Sequence, residues 1–343
     1  MKKIFFAIAA LAAFAACNKA EVISAPEGEV IEFANPFVDN TTKATDKTYS
    51  GDKALTTFNL YGTVTGTTGT INIYNGCNVT GTVGSTTVDD VTTPNVWNCT
   101  VDQYWIAGAK YNFIAIADGT VTENDTDEYG MPLTITCNTA VDANNVQKDL
   151  LIARPDEITG KASGNGLVNF TFDHLLAKAQ FTVKSTTEGD YYYSVKNINI
   201  ENYVNGTYVL KAGTYTLNGI EVNVAQDNTW VGTGDKANTG FGNIEQVRKT
   251  NPNNGKTCDY QRLLIPNTDA IKVTFTVELW NANGDAADVK LSTEDKTFTV
   301  TQKLLAGNAY DFKIDLSVGE LIQFTVTQNP TWTPTEGGTG VTL

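Results

Sequence analysis

Apolar and polar residues alternate one for one along stretch after stretch of this chain, a period that suits β-strands buried on one face and little else. The clearest run sets Ile271, Val273, Phe275, Val277 and Leu279 against Lys272, Thr274, Thr276 and Glu278. Val168, Phe170 and Phe172 alternate with Asn169, Thr171 and Asp173, and Ala177, Ala179, Phe181 and Val183 alternate with Lys178, Gln180, Thr182 and Lys184. Leu133, Ile135 and Cys137 repeat the pattern, as do Tyr310 to Leu316 and Ile322, Phe324 and Val326. Asn-Gly pairs at 205–206, 218–219 and 283–284 supply the positive φ values of tight hairpins. Beyond the first residues no long amphipathic helical period occurs. The expected class is all-β, with antiparallel sandwiches that bury one face and wet the other.

The amino terminus bears on compartment. Lys2 and Lys3 precede the uncharged apolar run Ile4 to Ala16, which is followed by Cys17. That is the layout of a bacterial secretory signal over residues 1–17, and the run is shorter than the roughly 20 residues a membrane-spanning helix needs. Cys17 at the cleavage point is a lipidation candidate, with a diacylglycerol on its thiol tethering the chain to a membrane. Phe14 stands where a lipobox usually has Leu, and plain cleavage near Ala16 is the other reading. Residues 18–28 read as a tether.

Roughly 326 residues remain once the first 17 of 343 are removed, enough for two cores. Pro155, Gly160, Gly164 and Gly166 interrupt the pattern, so residues 29–157 and 161–343 are the expected domains. The formal net charge is −14, and −16 without Lys2 and Lys3. Such a surface opposes nucleic acid, which needs Lys and Arg to displace counterions. Cys77, Cys99, Cys137 and Cys258 admit two disulfides with three connectivities, or buried thiols. If one pair forms, Cys77–Cys99 within one domain is favoured. Their wide spacing resembles no zinc site.

Parts for catalysis are scarce, and neither cofactor nor metal is expected. His174 is the single histidine and ends an alternating strand, which suits a structural role. It has no G-x-S-x-G elbow for company. Asp89-Asp90 and the group Asp125, Asp127 and Glu128 lack calcium-loop spacing and read as loop acids. Trp97, Trp105, Trp230, Trp280 and Trp332, with Tyr191 to Tyr193, are core candidates or platforms for sugar rings.

Several segments, in order, resemble the fimbrillin family, the subunits of type V pili of Bacteroidales-type bacteria. They are Cys17, Val30-Ile31-Glu32-Phe33, Thr42-Lys43-Ala44, Leu55 to Tyr61, Tyr111 to Ala115 and Asp149 to Ala153. The most telling is Val168 to Val183, which is similar to a V-x-F-x-F-x-H-x-x-A-K motif; Leu264-Ile265-Pro266 and Leu305 to Tyr310 follow. The resemblance implies two transthyretin-like β-sandwich domains in tandem and a surface-exposed lipoprotein of the cell outer membrane. It also implies partners: other fimbrial subunits in a homo- or heteropolymer, the membrane lipid, and a host or bacterial surface ligand.

In that family a protease removes an N-terminal strand, and the vacated groove accepts a strand from the next subunit, a form of β-augmentation. Mapped here, the leaving strand carries Val30, Ile31 and Phe33, and processing falls at Lys43 and Ala44. Family members cut by Arg-specific proteases have Arg at that point, whereas the first Arg of this chain is Arg154. The C-terminal stretch from Ile322 to Leu343, with Ile322, Phe324 and Val326, is the candidate donor. A competing reading is a monomeric surface lipoprotein that binds glycans through exposed aromatics; a hydrolase on a β scaffold is a third.

Overall fold

The computed structural model describes residues 29–34, 36–38, 55, 57–82, 86–88, 91–93, 96–122, 125–143, 145–217, 219–249, 255–267, 269–282, 287–317, 321–329 and 340–342. Among them there is no helix, and strands account for every regular element. The alternation of the sequence is realised on the apolar faces, although Ala177–Ser185 buries Lys178 and Thr182 as well. In the strand Ile271–Asn281, Ile271, Val273, Phe275 and Val277 are buried while Lys272 faces water. Facing them, Ala177, Ala179, Phe181 and Val183 of Ala177–Ser185 are wholly buried. The protein is an all-β chain of two β-sandwich units.

The first unit is built on a sheet whose strands run in the order Phe37–Val38, Thr171–His174, Leu151–Ala153, Lys110–Ala117, Thr57–Gly66, Gly69–Thr82 and Val96–Asn98, with Ile158–Thr159 added beside Lys110–Ala117. Its core gathers Ile31, Phe33, Phe58, Leu60, Trp97, Trp105, Tyr111, Phe113, Phe170 and Phe172. Phe58 is a hub: its ring centroid lies 5.6 Å from Trp97, 5.3 Å from Phe170 and 5.4 Å from Phe172. A disulfide joins Cys77 to Cys99 with Cα atoms 6.2 Å apart, while Cys137 and Cys258 are free thiols.

The second unit faces two sheets across a larger core. One runs Thr229–Val247, Tyr191–Val209, Ile271–Asn281 and Val289–Val300; the other runs Lys256–Thr257, Ala177–Ser185, Ala309–Leu316, Gln323–Asn329 and Gly340–Thr342. Between them lie Phe181, Phe241, Phe275, Phe312 and Phe324 among aliphatic neighbours.

The packing adds detail to the expected plan and departs from it at Asn205-Gly206. Val168, Phe170 and Phe172 pack in the first core, and Ala177, Ala179, Phe181 and Val183 in the second. The units also interleave: Thr134–Asn138 pairs with Tyr191–Val209 of the second, and Leu150, Leu175, Leu176, Tyr208 and Ile265 form a third apolar cluster at the junction. Asn205-Gly206 makes no turn. It lies within Tyr191–Val209, and glycine is needed there because a Cβ on Gly206 would come 2.9 Å from Ile265 and 3.0 Å from Trp230. The sheets are antiparallel apart from two parallel pairs, Phe37–Val38 with Thr171–His174 and Ala177–Ser185 with Ala309–Leu316. Asn283-Gly284 lies outside the described residues.

Candidate assembly site

Alternation in Val30-Ile31-Glu32-Phe33 turns Ile31 and Phe33 to one side and Glu32 to the other. The structure buries Ile31 and Phe33, at 3% and 6% exposure, and leaves Glu32 in water. Val30 is half-buried and bridges Tyr104. The Phe33 ring packs edge-on to Tyr74, centroids 6.0 Å apart, and lies 5.9 Å from Phe170.

The backbone of this segment is bonded on both flanks. On one side, Ile31 N–H donates to Gln103 O at 2.8 Å and Trp105 N–H donates to Glu29 O at 2.9 Å. On the other, Ala34 N–H donates to Val168 O at 2.9 Å and Val168 N–H donates to Glu32 O at 2.8 Å. Phe33 bridges Trp97 antiparallel and Val168 parallel, and the parallel contact continues as Phe37↔Thr171 and Val38↔Phe172. Trp97 itself pairs with Gly81 of Gly69–Thr82. Segment 29–38 is therefore the stave that closes the sheet on itself, between residues 97–105 and residues 168–172. A strand in that position leaves no unpaired edge in its neighbours.

Close fit extends to the rim. Gly164 has φ +77°, and a Cβ there would collide with the Glu29 carboxylate. Beside the segment, the Tyr74 hydroxyl and the Trp105 indole N–H are buried without a partner among the described residues. Burial of its hydroxyl raises the Tyr74 pKa above the phenol range. The seat is thus well packed yet leaves polar groups unsatisfied, which is uncommon in a settled core.

The candidate C-terminal strand is placed differently. Gln323–Asn329 is flanked by Ala309–Leu316 and by Gly340–Thr342, with Val326 opposite Phe312 and Val341. Phe324 stacks on Phe298 with centroids 4.9 Å apart, Val326 is fully buried, and Ile322 packs against the same core. These three side chains are thus interior parts of their own sandwich. The strand at its margin is Gly340–Thr342, the last in the sheet order. Cys17, Lys43 and Ala44 lie outside the described residues.

The remaining candidates are structural in setting. His174 is buried with Nδ1 2.5 Å from Asp149 Oδ2 at the junction of the units. Burial pushes the Asp149 carboxyl up, and His174 pulls against that shift. Asp125 accepts from Thr134 Oγ1 at 2.6 Å, and Asp127 Oδ1 caps a turn by accepting from the Tyr129 and Met131 amides. Among the described residues no group of three His, Cys, Asp or Glu could hold a metal ion. Trp97 and Trp105 are core; Trp230 donates to Leu175 O at 2.8 Å; Trp280 stacks on Tyr192, centroids 6.1 Å apart. Asp89-Asp90 and Trp332 lie outside the described residues.

Sequence reasoning picked out the closing segment but neither of its flanks. Gln103 and Val168 join it by contacts from far along the chain, and only the apolar alternation at 168–172 hinted at one of them.

The sequence profile of the fimbrillin-like family matches residues 42–330. No curated protein matches the chain. Among solved structures, a fimbrial protein from Bacteroides vulgatus superposes with a TM-score of 0.59 at 16% identity, over 89% of this chain and 99% of that one. A fimbrial assembly protein from Parabacteroides distasonis gives a TM-score of 0.44 at 14% identity, over 92% of this chain and 100% of its own. The profile spans most of the sequence and the first superposition carries the same fold, so the chain belongs to the fimbrillin-like family.

Proposed function

We propose that this protein is a structural subunit of a surface fimbria that supports adhesion. In this reading it is exported as a lipoprotein held to the outer membrane by acylated Cys17, and it polymerises by strand exchange after losing its N-terminal strand. The observation that carries the reading is the seat of segment 29–38, bonded along both flanks and contributing Ile31 and Phe33 to the core. Its release would bare two sheet edges and an apolar slot together. That combination is what an incoming strand satisfies, with main-chain hydrogen bonds for affinity and alternate side-chain pockets for register.

The donor is the C-terminal stretch from Ile322 to Leu343. Phe324 and Val326 are committed to their own core, which leaves the part beyond Asn329 to reach a neighbour. Val341 and Leu343 repeat the two-residue spacing of Ile31 and Phe33. Such head-to-tail contacts do not close and so propagate as filaments. The cut falls at Lys43-Ala44, between the stave and the strand Thr57–Gly66. A lysine at that point calls for a Lys-directed or unselective protease. The buried positions of Trp97 and Trp105 weigh against the reading of a monomer that binds glycans on exposed tryptophans.

The test is to cut the purified chain, without its signal and Cys17, by limited trypsin and follow particle size by chromatography and electron microscopy. Filaments or ladders appearing only after loss of the N-terminal fragment support the subunit. A cut protein that has shed the fragment and stays a stable monomer counts against it.

A further inference from the structure

Arg262 is one of three arginines in an acidic chain. It extends from the short strand Arg262–Leu264 and is only 6% exposed. Its Nε donates to Gly240 O at 2.7 Å and Nη2 to Asn145 Oδ1 at 2.6 Å, with a longer bond from Nη1 to Asn145 O. The guanidinium lies 4.5 Å from the centre of the Tyr260 ring. All of these partners are neutral. Among the described residues no carboxylate lies within ion-pair distance of Arg262, whereas Lys110, Lys196, Lys236, Lys272 and Lys290 each reach an acid. Three of the five guanidinium N–H donors are spent on these partners, which leaves two, and burying the charge without an anion is costly.

This cation lines an open pocket of about 380 Å³ between the 139–145 loop and the strand Thr229–Val247. Asn145, Asn238, Thr139 and Thr239 contribute amides and hydroxyls, while Val141 and Val204 give a small apolar wall. The loop is held in place before any ligand arrives. Gln147 Nε2 donates to Thr139 O at 2.5 Å and to Leu263 O at 3.0 Å, and Leu263 N–H donates back to Gln147 Oε1 at 2.8 Å. The Asp142 carboxylate is turned to a different task, capping the Val146 amide at 2.8 Å. The pocket's volume is that of a small-ligand cleft, with a lining more polar than such clefts usually have.

We propose that this pocket binds a carboxylated sugar, a uronic or sialic acid residue, with its carboxylate on the Arg262 guanidinium. The desolvated cation selects the carboxylate, and the amides and hydroxyls suit the sugar's hydroxyl groups. The site is separate from the N-terminal stave, so it stands or falls independently of strand exchange.

The test uses the uncut monomer, titrated with glucuronate and with N-acetylneuraminate by calorimetry and ligand-observed NMR, against glucose, N-acetylglucosamine and inorganic phosphate. At least one acid should bind saturably below about 10 mM, tenfold or more tighter than the neutral sugars and phosphate. Asn238→Asp puts a negative charge at the mouth and Val141→Trp fills it. Both positions are exposed, so each variant should keep the parental melting temperature while weakening binding tenfold or more. Arg262→Lys should keep the charge, lose the fork and bind less tightly. The proposal fails if neither acid saturates, if neutral sugars or phosphate bind equally well, or if Asn238→Asp and Val141→Trp bind as the parent does.

Discussion

Phe33→Ala is the sharpest probe of the closing stave. The side chain is 6% exposed and wedged between Tyr74 and Phe170. Truncating a buried Phe to Ala costs about 3–5 kcal/mol, the sum of lost transfer energy and the cavity left behind. In the uncut protein this loss appears as weaker folding of the first core. Once the chain is cut after Lys43, only non-covalent contacts hold the N-terminal fragment, so the same loss falls on its affinity. At about 1.4 kcal/mol per factor of ten, the fragment should leave roughly 100- to 4,000-fold faster. Glu32→Ala is the matched control, since its side chain faces water and such changes shift stability by about 0.5 kcal/mol or less. Retention of the fragment is read by native mass spectrometry, and re-entry by displacement of a fluorescent peptide spanning residues 29–38. Equal retention in the parent and Phe33→Ala would refute the claim that this pocket holds the strand. Equal loss in Phe33→Ala and Glu32→Ala would refute the assigned facing.

Three other outcomes are expected. Replacing Cys77 and Cys99 together by Ser should lower stability to urea by about 3 kcal/mol, the loop-closure value for their 22-residue separation, with the loss confined to the first core. Cys137, buried and with its thiol pushed up to about 12 by desolvation first and then by Asp149, should resist iodoacetamide at pH 8 until the protein unfolds. Burial would raise the Glu278 carboxyl, but donors from Lys290, Lys196 and Trp280 outweigh it and the pKa falls below 4.5. Its stabilising effect is therefore present above pH 4.5 and lost as pH drops through the lowered value, so Glu278→Gln should cost roughly 1 kcal/mol at pH 7 and converge with the parent in acid.

What the sequence made legible follows the range of the forces involved. Alternation is local, so the faces of 168–172, 177–183 and 271–277 could be read directly, and each is buried as read. The motif around His174 and Lys178 and the segment at 30–33 pointed to the family. Pairing partners are another matter, because hydrogen bonds between distant residues leave no periodic trace. Nothing local announces that Phe33 meets both Trp97 and Val168. Asn205-Gly206 misled for a related reason. Glycine serves tight turns and close approach alike, and here the approach of Ile265 and Trp230 sets the requirement. The glycines at 160, 164 and 166 looked like a linker, yet Gly164 makes room for Glu29 against the stave. Arg262 carried no signal because its lack of an acidic partner is a spatial fact.

The stave's double pairing also bears on why processing should control assembly. While residues 29–38 remain covalently attached, a donor from another subunit competes with an intramolecular strand whose effective concentration is of order millimolar. At micromolar subunit concentration that competition favours the closed monomer by roughly a thousandfold. Under the proposed strand exchange, cleavage would cancel this advantage without altering any contact in the seat, so that one peptide bond would switch the chain. On that proposal the identity of the residue at the cut would decide which protease acts and would leave the energetics alone. Lys43→Arg should therefore make the chain a substrate for an Arg-specific protease at this point; of the other arginines, Arg154 precedes Pro155 and Arg262 is buried, and half-buried Arg248 is changed to Lys in the same variant. Fragment loss and filament growth should follow in that variant under a protease that leaves the parent monomeric. Cleavage of Lys43→Arg with release of the fragment and no growth would show that freeing the seat is insufficient, and that the donor strand of a neighbour does not fit it.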